Sequence, residues 1–208
     1  DADLRGVLDL QRASAEHLAQ RTGRHRAGRA HLALAADLGA GDRRGLLVDG
    51  PDCPGDEQEV DDGGVSALID RQGRFVWACA PRVDGDPVFS ALMDGMEPEH
   101  GFWVIEMEDV KSIDQAYVRN TPVLRTVMTA EDGSSAEIID FAPRHPKHSR
   151  TYRPLAFGRI VRPLKGTPRV AIRLKPSADW GAREAEHTSG SNHIRYRCAE
   201  VTFRLTTD

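Results

Sequence analysis

Apolar residues recur at two different periods along this chain, and the change falls near residue 60. Before it, Leu4, Leu8 and Gln11, then Ala15, Leu18 and Ala19, lie at helical spacing, which predicts an amphipathic helix over 3–21. "RAHLALAADL", 29–38, reads as a second helix, stopped by Gly39 and Gly41. "DGPDCPGDEQEVDDGG", 49–64, is acidic and rich in Pro and Gly, and reads as a linker. After residue 64 the period becomes two. "VSALID" and "RFVWACA" flank "RQG" as a hairpin, with "DRQG" supplying turn chemistry. "GFWVIEME" alternates, Phe102, Val104 and Glu106 on one side and Trp103, Ile105 and Met107 on the other. "AYVRNTPVLRTVMTA" and "SAEIIDFAP" flank "EDGS" as a second hairpin. "LAFGRIVRPL" and "RVAIRLKP" flank "KGTP" as a third, and "HIRYRCAEVTFRLTT" adds one or two strands. "PVFSALMDG", 87–95, interrupts the series with one helical turn or two.

Strands joined by tight turns without intervening helices predict an all-β, antiparallel architecture, a sandwich or a barrel. The 208 residues, 39% hydrophobic and 29% charged, suffice for a packed core. A net charge of −4 argues against a nucleic-acid binder, and "RTGRHRAGR" is too local a basic feature to reverse that. No run reaches the roughly 18–20 apolar residues of a membrane-spanning helix. "DADLRGVLDLQ" carries acids and lacks the apolar stretch of a signal peptide. Cys53, Cys79 and Cys198 lie far apart without CxxC spacing, so neither a zinc site nor a disulfide framework is expected, and Cys79 reads as a buried free thiol. A cytoplasmic setting follows from these features. The chain starts at Asp1 and stops within a strand-like run, as a piece of a longer protein would.

Candidate chemistry is sparse. Glu106 and Glu108 share a strand face and could be a paired acid and base, but alternating charges on an exposed face are the far commoner arrangement and explain them more simply. Asp84 and Asp86 lie in a loop, where Asp commonly closes Asx turns. His145 and His148 have no carboxylate or cysteine at ligand spacing, and nothing converges on His187 and His193. Neither GxSxG nor a glycine-rich phosphate loop is present. Trp77, Trp103 and Trp180 could stack on sugar faces. Trp77 and Trp103, inside strands, read more simply as core, whereas Trp180 in "SADWGA" is open to either reading.

"GGVSALIDRQGRFVWACAPRVDGDPVFSALMDG" resembles the opening of bacterial glycoside hydrolase family 15 proteins, the glucoamylase- and trehalase-like group. The residues that carry the likeness are Asp70-Arg71-Gln72-Gly73 at the hairpin turn, Trp77, Cys79, Pro81-Arg82-Val83-Asp84 and Pro87-Val88-Phe89. "GFWVIE", "QAYVRNTPVLRTVMTAEDGSSAEIIDFAPR", "RPLAFGRIVRPLKGTPRVAIRLKPSADWGA" and "FRLTTD" then follow in the family's order, so that the likeness covers about residues 60–208.

The resemblance implies a large antiparallel super-β-sandwich over 59–208, here lacking its last strands, which packs on a C-terminal (α/α)6 catalytic barrel of the same polypeptide. It implies an α-glucoside substrate, trehalose or maltose and longer glucans, hydrolysed with inversion by carboxylates of that barrel. It assigns this chain no catalytic residue, metal or cofactor. Residues 1–58 are expected as a helical or irregular extension of unassigned role. Trp77, Arg82 and Asp84 are the expected substrate-proximal or interdomain positions, Arg82 and Asp84 emerging after Pro81 ends its strand. A stand-alone carbohydrate-binding or architectural β-sandwich is the alternative.

Overall fold

A computed structural model of the chain describes residues 30–36, 58–61, 65–95, 98–147, 150–191, 193–198 and 201–207. The expected helix over 3–21 and Cys53 fall outside them.

The first four strands are β1 (Ala30–Ala36), β2 (Gln58–Asp61), β3 (Ser66–Ile69) and β4 (Phe75–Cys79). β5 (Pro87–Phe89) leads into a single 3-10 turn, Ala91–Met93. β6 (Phe102–Met107) follows, and then β7 (Val110–Tyr117), β8 (Leu124–Ala130) and β9 (Ser135–Phe141) pair in succession as antiparallel strands. The short β10 (His145–Lys147) and β11 (Arg150–Tyr152) pair with each other. β12 (Ala156–Lys165), β13 (Val170–Lys175), β14 (Ser177–Ala178) and β15 (Arg183–Glu184) follow. β16 (Glu186–Ser189), β17 (His193–Cys198) and β18 (Val201–Thr207) complete the series.

Two antiparallel sheets dominate. The larger has eight strands in the order β16-β17-β18-β1-β12-β9-β8-β7; the smaller runs β13-β6-β4-β3-β2, with β5 on β4. The all-β sandwich expected from the two-residue period is what the chain forms. The main core lies between the sheets. Phe75, Phe89, Trp103 and Ile105 of the smaller sheet meet Leu124, Ile138, Phe157 and Phe203 of the larger. The ring of Phe75 sits 5.4–5.6 Å from those of Phe89, Trp103 and Phe157.

The alternation expected in β6 is real, but both of its faces are covered. Trp103, Ile105 and Met107 enter the main core, while Phe102 and Val104 join Val76, Ala91 and Leu68 in a second cluster on the outer side of the smaller sheet. The 3-10 turn supplies Ala91 to that cluster and leaves Leu92 and Met93 exposed.

Turn chemistry explains the β3–β4 hairpin. The Asp70 carboxylate accepts the amides of Gln72 (3.0 Å) and Arg74 (2.9 Å), and Gly73 takes the left-handed conformation (φ +76°). The β8–β9 turn repeats the device, with Asp132 accepting the Ser134 amide at 2.7 Å.

Four expectations need correction. Residues 29–38 are not a helix: Ala30–Ala36 is β1, paired with β12 on one side and β18 on the other. Ala and Leu favour helices, but two flanking strands outweigh that weak preference. Residues 30–36 therefore lie in the larger sheet, although the sequence reading set them in the N-terminal extension. The acidic segment 49–64 is not all linker, because Gln58–Asp61 pairs with β3. "AYVRNTPVLRTVMTA" is not one strand: Thr121 and a left-handed Asn120 (φ +60°) turn the chain between β7 and β8. Finally, "KGTP" does not join a hairpin. β12 already has β1 and β9 as neighbours, so β13 crosses to the other sheet and pairs with β6.

Candidate functional site

The loop after β4 and the turn after β14 meet at one end of the smaller sheet. Beyond Cys79 the chain passes a cis Ala80–Pro81 bond and enters the loop 81–86. Arg82 donates from Nε to Asp84 Oδ1 and from Nη2 to Oδ2, each at 2.8 Å. This is a bidentate pair, yet both side chains are largely exposed, so it orders the loop more than it stabilises the fold. The hydrogen bond from Arg82, reinforced by its charge, lowers the Asp84 carboxyl below its ordinary value, which suits a fixed anion and not an acid catalyst.

Asp86 does what no local pattern announced. Its carboxylate reaches across to the turn after β14 and accepts the amides of Asp179 (2.9 Å) and Trp180 (2.7 Å). Three consecutive residues there, Asp179, Trp180 and Gly181, have positive φ (56°, 58° and 84°). Such backbone is costly for residues with a Cβ and needs external support. Asp86 supplies it from one side. His100 Nε2 supplies it from another, donating to the Gly181 carbonyl at 2.8 Å. The hydroxyl of Ser177 ties the same segment to the Pro87 carbonyl at 2.9 Å. An ideal Cβ on Gly181 would lie 2.9 Å from Ser90 Oγ, so the position also requires glycine for space. Trp180 is thereby held with 62% of its surface exposed, and the exposed Met93 lies beside the neighbouring Gly181.

The three tryptophans have different settings. Trp103 is fully buried in the core. Trp77 is half-buried: a bulge in β4 sets it opposite Leu68, on the side of the second cluster. Trp180 is exposed at the loop cluster. The geometry brings Arg82 and Asp84 together, and it adds Asp86, His100 and Trp180, which the sequence reading had not assembled. No local spacing could have found them, because their contacts join segments about 80–95 positions apart.

The remaining candidates have other partners. Glu106 is paired with Arg173, and Glu108 with Arg169 at 3.5 Å. His187 lies beside the Tyr196 ring, and His193 contacts Arg204. His148 and the side chain of His145 lie outside the described residues. Asp140 is the described carboxyl that burial pushes up, but it is sealed from solvent and bound by Arg159. Cys79 and Cys198 are buried free thiols. Burial, followed by the nearby Asp86 and Asp84, raises the first; burial and Asp86 push the second up to about 12, so both stay protonated at neutral pH. Among the described residues no cluster of three or more His, Cys, Asp or Glu could hold a metal ion, and no helix is long and apolar enough to cross a membrane.

Two antiparallel sheets over one aromatic core, with ordered loops at one end, define a β-sandwich domain. Residues 59–207 match the family described as Trehalase-like, N-terminal, and the chain belongs to that family. It is also similar to Trehalase 1 of Sulfolobus acidocaldarius, at 35% identity over 120 residues. That match covers 56% of this chain and 21% of the relative, so the chain spans only a small part of the length of that curated protein. No solved structure matches.

Proposed function

We propose that this chain is the non-catalytic N-terminal β-sandwich of a family 15 glycoside hydrolase, an enzyme that cleaves an α-linked glucoside with inversion. The observation that carries the reading is the match of 59–207 to the trehalase-like N-terminal family. The state of the carboxylates supports it. An inverting hydrolase needs a protonated acid facing a substrate and a second carboxylate across the ring. Glu106, Glu108 and Asp84 are each neutralised by an arginine, and Asp140 cannot be reached. In this reading, as the family resemblance implies, the acids belong to the partner, the C-terminal (α/α)6 barrel of the same polypeptide. Most of the matched relative's length lies outside the similar segment, which leaves room for such a partner.

In this reading the 81–86 loop faces that barrel, with Arg82 and Asp84 bordering the substrate passage and Trp77 behind them. Val83, Leu92, Met93 and Trp180 are exposed on this loop, the 3-10 turn and the Asp179–Gly181 turn, as an interdomain contact would require. The location proposed is cytoplasmic, where Cys79 and Cys198 stay reduced.

The test uses the whole polypeptide that carries this chain. Trehalose and maltose are offered separately, and the anomer first released is followed by NMR. Hydrolysis of either sugar is expected, with the attacked ring released as β-glucose, accompanied from trehalose by an equal amount of α-glucose, the leaving half. Failure on both sugars would refute the reading, and release of α-glucose alone would refute inversion.

A further inference from the structure

Beside the loop cluster, β13 and the segment Pro98–His100 enclose an open cleft of about 570 Å³, a size suited to one or two sugar rings. Its walls are mostly charged, and most of the charges are already matched. Arg173 pairs with Glu106, Lys175 with Glu184 at 3.4 Å, and Arg183 with Asp179 at 2.5 Å. Glu99, also on the wall, adds a further carboxylate. An anion entering the cleft would meet Glu99 and Glu184 as well as the cations, and a cation would meet the guanidinium groups. A neutral hydroxyl suits both, because it donates to a carboxylate and accepts from a guanidinium or ammonium at once. Arg173 also lines the cleft, its guanidinium held by Glu106. Trp180 stands two residues before the wall residue Ala182, and its exposed indole offers the kind of apolar face that a pyranose ring covers.

We infer that this cleft is a binding subsite on the β-sandwich itself for a neutral, polyhydroxylated ligand, and that the ligand is the glucosyl ring of an α-glucoside. The polyol character follows from the interleaved charges of both signs on the wall. The choice of glucoside rests on the hydrolase reading above. In the complex, ring hydroxyls bridge Glu184 and Arg183, while the wall between β13 and His100 excludes bulk water from one side of the ring.

The experiment uses the whole polypeptide and an S-linked maltose analogue that resists hydrolysis. The ring signals of His100, which lines the cleft, are assigned by their loss in His100→Gln. They are then followed by NMR as the analogue is added, and again in Glu184→Gln and Arg183→Met. The expected result is a saturable shift whose midpoint rises by about tenfold or more in either variant, the loss of one charge-assisted hydrogen bond. Glu184 and Arg183 are both partly exposed, and unchanged melting of the two variants keeps the comparison interpretable. Signals that do not move, a midpoint unchanged in both variants, or a shift produced by inorganic phosphate in preference to the sugar would each overturn the inference. Hydrolysis of trehalose or maltose without a His100 shift would sink this subsite and leave the hydrolase reading standing. A His100 shift without hydrolysis would do the reverse.

Discussion

Arg159 and Asp140 face each other across adjacent strands of the larger sheet, both fully buried, joined by hydrogen bonds of 2.7 and 3.0 Å. The guanidinium also reaches the opposite sheet. It donates to the Trp103 carbonyl at 2.9 Å and the Gly73 carbonyl at 2.5 Å, and lies 4.7 Å from the Phe75 ring centroid. One side chain thus ties β12 to β9 within its own sheet and to β6 and the β3–β4 turn across the core. Removing one partner leaves a buried charge alone. Asp140→Leu and Arg159→Met should each cost about 3–5 kcal/mol in denaturant unfolding. The Arg159→Met/Asp140→Leu double variant should recover part of that loss, but not all, because two carbonyls still lose their donor. Full additivity of the two single losses would show that the pair is not a coupled unit.

Glu137 provides the acid response. Its side chain is almost buried on the outer face of the larger sheet, between Arg125 at 2.5 Å and Arg162. Burial alone would raise its carboxyl, but the two arginines outweigh burial and lower it. A carboxyl lowered on folding adds stability that is fully present above its unfolded value, about pH 4.3, and is lost as pH falls through the folded value. Glu137→Gln should therefore lower stability at neutral pH by about 1 kcal/mol, the arginines being partly exposed. The variant and its parent should converge under strong acid. Parallel stability curves down to the acid limb would contradict this.

The two sheets were legible in the sequence wherever turn residues and a two-residue period agreed, as in "DRQG" between β3 and β4 and "EDGS" between β8 and β9. They were not legible where composition hid the pairing. In "HLALAA" the alternation of Leu32 and Leu34 with alanine is itself of period two, but it sits in a helix-favouring run. The crossing from β12 to β13 was hidden because a turn signal says that the chain reverses, not which strand it then joins. Arg159 could have been found. It occupies an inward position between Phe157 and Val161, and a charge there implies a buried partner. For the site, the sequence singled out the Arg82–Asp84 pair, whose members are two residues apart. It marked Asp86 and Trp180 only as separate candidates and did not mark His100; their grouping exists only once β5, β6 and β14 have packed.

The Asp179–Gly181 turn should be the most easily damaged part of that grouping. Gly181→Ala forces a methyl toward Ser90 Oγ in a left-handed backbone and should cost about 1–3 kcal/mol. Asp86→Ala frees the amides of Asp179 and Trp180 to water, so it should lower the melting temperature less. It should instead loosen the indole, read as increased quenching of tryptophan emission by iodide. Unchanged quenching in Asp86→Ala would mean that the turn holds its shape without the carboxylate.

The exposed side chains at this end predict how the chain behaves by itself. Val83, Leu92, Met93 and Trp180 are 45–62% exposed, an apolar load that a partner domain would cover. The chain produced alone should bind a hydrophobic dye and self-associate with rising concentration. Leu92→Ser with Met93→Ser should reduce both effects without lowering the melting temperature, since neither side chain is buried. A monomeric chain that ignores the dye would remove the reason to place the partner here.

Arg82 and Asp84 carry the sharpest functional prediction. Their pair is exposed and its members already satisfy each other, so the fold does not depend on it. If the loop borders the substrate passage of the whole enzyme, its shape matters more than either charge alone. Arg82→Ala and Asp84→Ala should raise KM for the glucoside several-fold while some turnover persists, because the proposed function puts the acids on the partner. Exchanging the two, Arg82→Asp with Asp84→Arg, rebuilds an ion pair in the same loop and should recover much of the lost affinity. Abolished turnover in a variant that still folds and binds substrate would place one of these residues in the chemistry itself. Unaltered kinetics in all three would move the substrate passage away from this loop.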